Sequence, residues 1–332
     1  MKDYIEKIPK AELHIHIEGT LEPELAFHFA KRNNVKLRYN SVEELRSAYN
    51  FKNLQEFLDL YHEVSKVLVK EEDFYDFTWA YLEKLHEQNV RHVELFYDSQ
   101  SHTDRGVSFE TVTNGIYKAL QDGKEKLGIS FYLILCFLRH LSEEEAIKTL
   151  DKAIEHKEKI LGIGLASSEL GHPPSKFERA FDKAREEGFR IVAHAGEEGP
   201  LEYIWEAINL LKVERIDHGN RAMEDPELLE HLAKSKTPLT LCPVSNLELC
   251  VIEKLEDHPV KKMLDMGIMA TIHSDDPAYF KGSLNDNYVR TAEALELDKK
   301  DIYKLAKNSL EASFLPEDEK RNLLDELKSF KY

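Results

Sequence analysis

At 332 residues, 42% hydrophobic and 32% charged, the chain has the make-up of a globular protein able to bury a large core. Lysine and arginine number 45 against 62 aspartates and glutamates, a net charge of −17. That balance opposes contact with phosphate backbones or anionic lipid, so neither nucleic acid nor a membrane is an expected partner.

Three cysteines, Cys136, Cys242 and Cys250, form no CxxC pair, and the first residues carry no apolar stretch. Both features point to a reduced, cytoplasmic setting. Along the chain, short β-rich runs alternate with longer amphipathic ones. Strands are predicted over 11–17, 92–97, 130–137, 162–166, 190–194, 215–218, 238–242 and 268–273. Helices are predicted over 55–69, 74–88, 108–126, 142–159, 175–187, 202–211, 226–233 and 258–266, from apolar residues at a period of 3.6. Ser142 and Glu145 have the spacing of a capping box. Eight strands separated by crossover helices predict an α/β fold, a (β/α)8 TIM barrel. No glycine-rich phosphate loop follows the first strand, which argues against an open doubly wound sheet. Residues 20–71 exceed a single crossover and should place extra helices over one barrel face. The tail, 284–332, reads as helical. With no repeat, linker or break in composition, residues 1–332 read as one domain. Nothing in the sequence opposes association into a homo-oligomer.

The first strand carries His14 and His16 at i and i+2, so both imidazoles point to one side. Such a pair is a convergent metal ligand, although hydrogen-bonded core histidines would look the same. In a barrel the site forms at the C-terminal strand ends. Those ends supply His194 and Glu197 after the fifth strand, His218 after the sixth, and Asp275-Asp276-Pro277 after the eighth. His14, His16, His194 and Asp275 make a nitrogen/oxygen shell suited to one Zn²⁺ with a position open for water. Glu197, three residues beyond a ligand, would shuttle a proton, while His218 and Asp276 would orient water and substrate. Glu198 reads as a solvated loop charge, and Asp275-Asp276-Pro277 could equally be a plain turn.

Four stretches together resemble the adenosine/adenine deaminase family of the amidohydrolase superfamily, closest to deaminases of the free base adenine. They are 9–23 (PKAELHIHIEGTLEP), 194–200 (HAGEEGP), 215–219 (RIDHG) and 274–280 (SDDPAYF), with 171–177 (GHPPSKF) adding to the likeness. The resemblance implies zinc-dependent hydrolysis of adenine to hypoxanthine and ammonia, a purine salvage reaction. It implies zinc ligation by His14, His16, His194 and Asp275, and protonation of a ring nitrogen by Glu197. His218 then handles the water, Asp276 binds the imidazole side of the purine, and Ser167 and Ser168 lie along its edge. No lysine stands there to be carboxylated, which favours one ion over two. Ala166 stands where such deaminases carry Asp, and His273 where they carry Asn or Thr. Nucleoside-specific relatives have Asp where this chain has Glu18, so the longer acid should close the site behind a free base. Adenosine, an N6-substituted adenine or another adenine-bearing nucleoside are the alternative substrates. A non-catalytic zinc-binding relative is the alternative of another class.

Overall fold

In the computed structural model, which describes residues 1–330, the alternating runs resolve into eight strands joined by helices. The strands are β1 (Lys10–His16), β2 (Val90–Tyr97), β3 (Ser130–Leu138), β4 (Gly162–Ala166), β5 (Arg190–Ala195), β6 (Arg215–His218), β7 (Leu239–Leu241) and β8 (Ala270–Ile272). Each pairs in parallel with the next, from β1 through to β8. The sheet closes where Ile15 bridges Asp275: the His16 N–H donates to the Asp275 carbonyl at 3.1 Å, and the Asp275 N–H to the His14 carbonyl at 3.0 Å. This is the expected barrel. Its seam is reinforced by helix Lys299–Glu311, where Ser309 Oγ accepts from the Ala11 N–H at 3.0 Å and Asn308 donates to the Ala270 carbonyl at 2.8 Å.

The apolar filling of the barrel is a small cluster of Phe96, Ile134, Cys136, Ala166 and Val192, while the larger core lies between strands and helices. Polar groups occupy the rest of the interior. At the N-terminal end, Glu94 accepts from Arg215, from His92 at 3.2 Å and from the Phe314 N–H, and Arg215 donates onward to the Leu13 carbonyl at 3.2 Å. The Phe314 ring covers the guanidinium groups of Arg190 and Arg215 at 5.2 and 4.8 Å. Lys10, fully buried, donates to the carbonyls of Ile5, Ile8 and Gln88 at 3.0, 3.1 and 2.8 Å.

Several predicted boundaries shift for local reasons. Pro238 has no N–H to give the ladder, and β7 begins at Leu239. The 175–187 helix divides into a 3₁₀ turn, Pro174–Phe177, and helix Glu178–Glu186. The 258–266 helix starts at Val260, because the residue before Pro259 is pushed to extended geometry. The 202–211 helix becomes α-helical Glu202–Glu206 followed by a π-helical turn, Ala207–Leu211. The capping box is half formed. Ser142 Oγ accepts from the Glu145 N–H at 3.3 Å, but the Glu145 carboxylate turns to Lys148 instead of returning to the cap.

Residues 20–71 form helices Pro23–Arg32, Val42–Ser47 and Leu54–Ser65, the last lying across the C-terminal mouth. Asn53 caps it by accepting from the Glu56 N–H at 2.9 Å. The tail is helical over Leu284–Ala294, Lys299–Glu311 and Glu317–Ser329. Among the described residues no helix is long and apolar enough to cross a membrane.

Candidate active site

Four strand ends leave the barrel through left-handed backbone. Ser167 after β4 has φ +80°, Gly196 after β5 +72°, His218 ending β6 +64°, and Asp275 after β8 +64°. Three of these are not glycine, and such conformations are held only where surrounding structure dictates them; they cluster at functional sites. Each turn brings polar residues over the barrel mouth in place of the next strand residue.

His14, His16, His194, His218 and Asp275 converge there. His14 Nε2 lies 3.4 Å and His16 Nε2 3.7 Å from Asp275 Oδ1, and the Nε2 atoms of His16 and His194 face each other at 3.1 Å. His218 Nε2 lies 3.5 Å from Glu197 Oε2 and 3.9 Å from Asp275 Oδ2. His14, His194, His218 and Asp275 present ligand atoms all within 4.8 Å of one another, and His16, Asp275 and Asp276 form a second such group. His14 Nδ1 meets the Thr240 carbonyl at 3.2 Å and its hydroxyl at 2.9 Å. A carbonyl only accepts, so Nδ1 carries the proton and Nε2 keeps a lone pair aimed into the cluster. That Nε2 has no hydrogen-bond partner, and neither have His194 Nδ1, Glu197 Oε1 and Asp276 Oδ1. Buried polar atoms left in this state are costly unless a ligand completes them. The donor set and its orphaned atoms fit a divalent metal.

Electrostatics follows from burial. It pushes His16 down to about 4 and His218 to about 3, and His194 well below the usual histidine value, so these imidazoles are neutral. Glu197 and Asp276 are pushed well above the usual carboxylate range, first by burial and then by Asp275.

Over the cluster lies a partly open cavity of about 520 Å³, counting the solvent at its mouth. His16, His194, Glu197, His218, Asp275 and Asp276 line its polar side, with Ser167 and Ala166, and Leu54, Phe57, Leu58 and Tyr61 form an apolar roof. Ser168 and Glu18 do not line it. Glu18 is buried behind Tyr61: its Oε2 accepts from the Tyr61 hydroxyl at 3.3 Å, and its Oε1 pairs with His102 Nε2 at 3.1 Å. Ser167 Oγ pairs with His140 Nδ1 at 2.9 Å. His273 is a buried strut bonded to Glu12 and Thr271 at 2.9 and 2.8 Å. Glu198 is no solvated charge. It is half-buried and accepts the N–H of Leu54 at 3.1 Å, tying the loop after β5 to the first residue of the roof helix.

Sequence reasoning missed the supports. Asp217 accepts from Thr240 Oγ1 at 2.9 Å and sits 3.5 Å from His194 Nδ1. Glu12 accepts from Ser274 Oγ at 2.8 Å and so braces the turn that carries Asp275 and Asp276. Asp217 lies inside the RIDHG stretch and Glu12 beside His14. Their nearness to marked residues was the available signal.

A parallel barrel that gathers neutral histidines and carboxylates beneath an apolar roof is the frame of an enzyme acting on a small, enclosed substrate. The chain belongs to the adenosine deaminase family, whose model matches residues 9–330. It is 57% identical over 325 residues to the adenine deaminase of Acinetobacter baylyi, with 98% of each chain covered. The crystal structure of adenine deaminase from Arthrobacter aurescens matches with a TM-score of 0.95 at 49% identity, over 97% of this chain and 98% of that one. At 24% identity, a Burkholderia ambifaria amidohydrolase solved with bound zinc shares the fold, with a TM-score of 0.89 over 99% of this chain and 95% of that one.

Proposed function

We propose that this enzyme deaminates adenine hydrolytically, adenine plus water giving hypoxanthine plus ammonia, as a step of purine salvage. The observation that carries the reading is the convergence of four histidines and Asp275 under a cavity walled by Glu197 and Asp276. The adenine deaminases at 57% and 49% identity over nearly the whole chain support the substrate.

His14, His16, His194 and Asp275 would hold one zinc ion. When bound, it would act as a Lewis acid that makes a water molecule reactive near neutral pH. His218, whose Nε2 stands between Asp275 and Glu197, takes the proton from the attacking water. Attack at C6 would leave negative charge on the ring, so Glu197 gives a proton to N1. Asp276 hydrogen-bonds the imidazole side of the purine, and Ser167 borders its edge. The tetrahedral carbon collapses as the proton taken by His218 passes to the exocyclic nitrogen, which leaves as ammonia, while Glu197 recovers a proton from the former water oxygen as C6 becomes a carbonyl. Leu54, Phe57, Leu58 and Tyr61 keep bulk water from the ring. Glu18, by holding Tyr61, limits how far the cavity extends and favours a free base over a nucleoside.

Ammonia release from adenine, N6-methyladenine and adenosine, with and without a chelator, tests this. Adenine should be turned over fastest, with activity lost to the chelator and restored by zinc. No ammonia from adenine in metal-replete protein would overturn it.

A further inference from the structure

The loop after β5 that carries Glu197 is folded around a side chain from another strand. Glu169, three residues past the end of β4, is 1% exposed. Its Oε1 accepts the N–H of Gly196 at 2.7 Å, and its Oε2 accepts those of Glu197, Glu198 and Gly199 at 3.1, 2.9 and 2.7 Å. Four successive backbone donors thus close on one carboxylate, making a concavity for an anion that the protein fills itself. The loop is shaped for it. Gly196 takes the left-handed conformation that begins the wrap, and a Cβ at Gly199 would stand 2.5 Å from Glu169 Cδ. The same strand end is held from below by the buried Arg139, which donates to the His194 carbonyl at 2.8 Å.

We propose that Glu169 is a positioning residue for Glu197: its carboxylate sets the curvature of the loop, and with it the place of the Glu197 carboxyl at the cavity wall. Without that anion, four buried N–H groups lose their acceptor and the loop must open to satisfy them. A displacement of about 1 Å at a reacting group is enough to cost on the order of 10²-fold in rate. Among the described residues no other acceptor serves these donors, and the loop they shape carries Glu197 itself, so the effect acts on the proton donor more than on substrate binding. The inference rests on Glu197 being that donor.

The test is a double-mutant cycle on the metal-loaded enzyme, with adenine as substrate. Glu169→Gln should lower kcat by roughly 10- to 100-fold, with KM within about twofold and zinc content unchanged. In a Glu197→Gln background the same change should lower kcat less than about threefold, since the group it positions is gone. Equal losses in both backgrounds would overturn the proposal, as would an unchanged kcat for Glu169→Gln. Gly199→Ala, which displaces the carboxylate while leaving its charge, repeats the cycle if Glu169→Gln does not fold. If Glu197→Gln alone keeps near-wild-type turnover, the donor assignment fails, an outcome distinct from additivity in the cycle.

Discussion

The two ends of the barrel hold similar residues in opposite states. At the N-terminal end, Lys10 has three carbonyl partners, and Glu94 is taken up by Arg215, His92 and the Phe314 N–H. At the C-terminal end, His14 Nε2, His194 Nδ1, Glu197 Oε1 and Asp276 Oδ1 are equally buried and have no hydrogen-bond partner. Burial of charge is therefore not what marks a site in this molecule. Single orphaned atoms occur elsewhere, Arg215 Nε at the N-terminal end among them; the mark of the site is the concentration of such atoms on neighbouring residues, which stability alone would remove.

The strongest way to break that contrast is at the incomplete end. His14→Ala or His194→Ala should lose bound metal and turnover together, measured by elemental analysis beside ammonia release. Full stoichiometric zinc in either variant would contradict its place in the shell. Next in size, Glu197→Gln should keep its metal and lose about 10²–10⁴-fold in kcat, the range of a general acid–base contribution.

At the completed end the loss should appear as stability. Glu94→Gln removes the carboxylate that pairs with Arg215 Nη1, leaves only Asp217 Oδ1, 3.7 Å from its Nε, as counter-charge, and should cost about 3–5 kcal/mol in denaturant unfolding, with kcat of the folded protein little changed. Burial pushes the Glu94 carboxyl up, but Arg215, His92 and the Phe314 N–H outweigh it and hold it at about 2. Because the folded value lies below the unfolded one of about 4.3, this stability is full above that pH and is lost as the pH falls toward 2. Unfolding curves of wild type and Glu94→Gln should converge across that window. The smallest effect is expected at Glu18, whose role is to shape the cavity. Glu18→Asp draws the carboxylate back from Tyr61 and should change the ratio of kcat/KM for adenine over adenosine by about 1–3 kcal/mol, or roughly 5- to 150-fold. An unchanged ratio would remove Glu18 from substrate selection.

The eight strands were legible because parallel strands covered on both faces read as apolar runs, and the runs stop where His194, His218 and Asp275 begin. The helices were legible where nothing but periodicity and caps decides them, as at Ser108, whose hydroxyl accepts from the Thr111 N–H at 3.1 Å. What failed was anything settled by a distant partner. Nothing near Lys10 in sequence announces the carbonyl of Gln88, 78 residues away, that helps to hold its buried ammonium. Glu169 and Glu198 are unremarkable loop acids in sequence, and their partners come from other segments of the chain. The capping box failed for a nearer reason: Lys148, one turn on, competes for Glu145.

The left-handed corners at Ser167, Gly196, His218 and Asp275 have a bearing on how such a molecule can change over generations. A corner that abrupt insulates the strand from the loop beyond it. The side chains of Ser167, His218 and Asp275 are each aimed by the strand behind the bend, so insertions or deletions further along the loop need not move them. The roof and the outer loops can be remodelled for another purine while the reactive groups stay in register. A bulky β-branched residue placed at the bend itself, by contrast, would face both a wrong side chain and a forbidden backbone, so variation is steered away from the corners and into the loops.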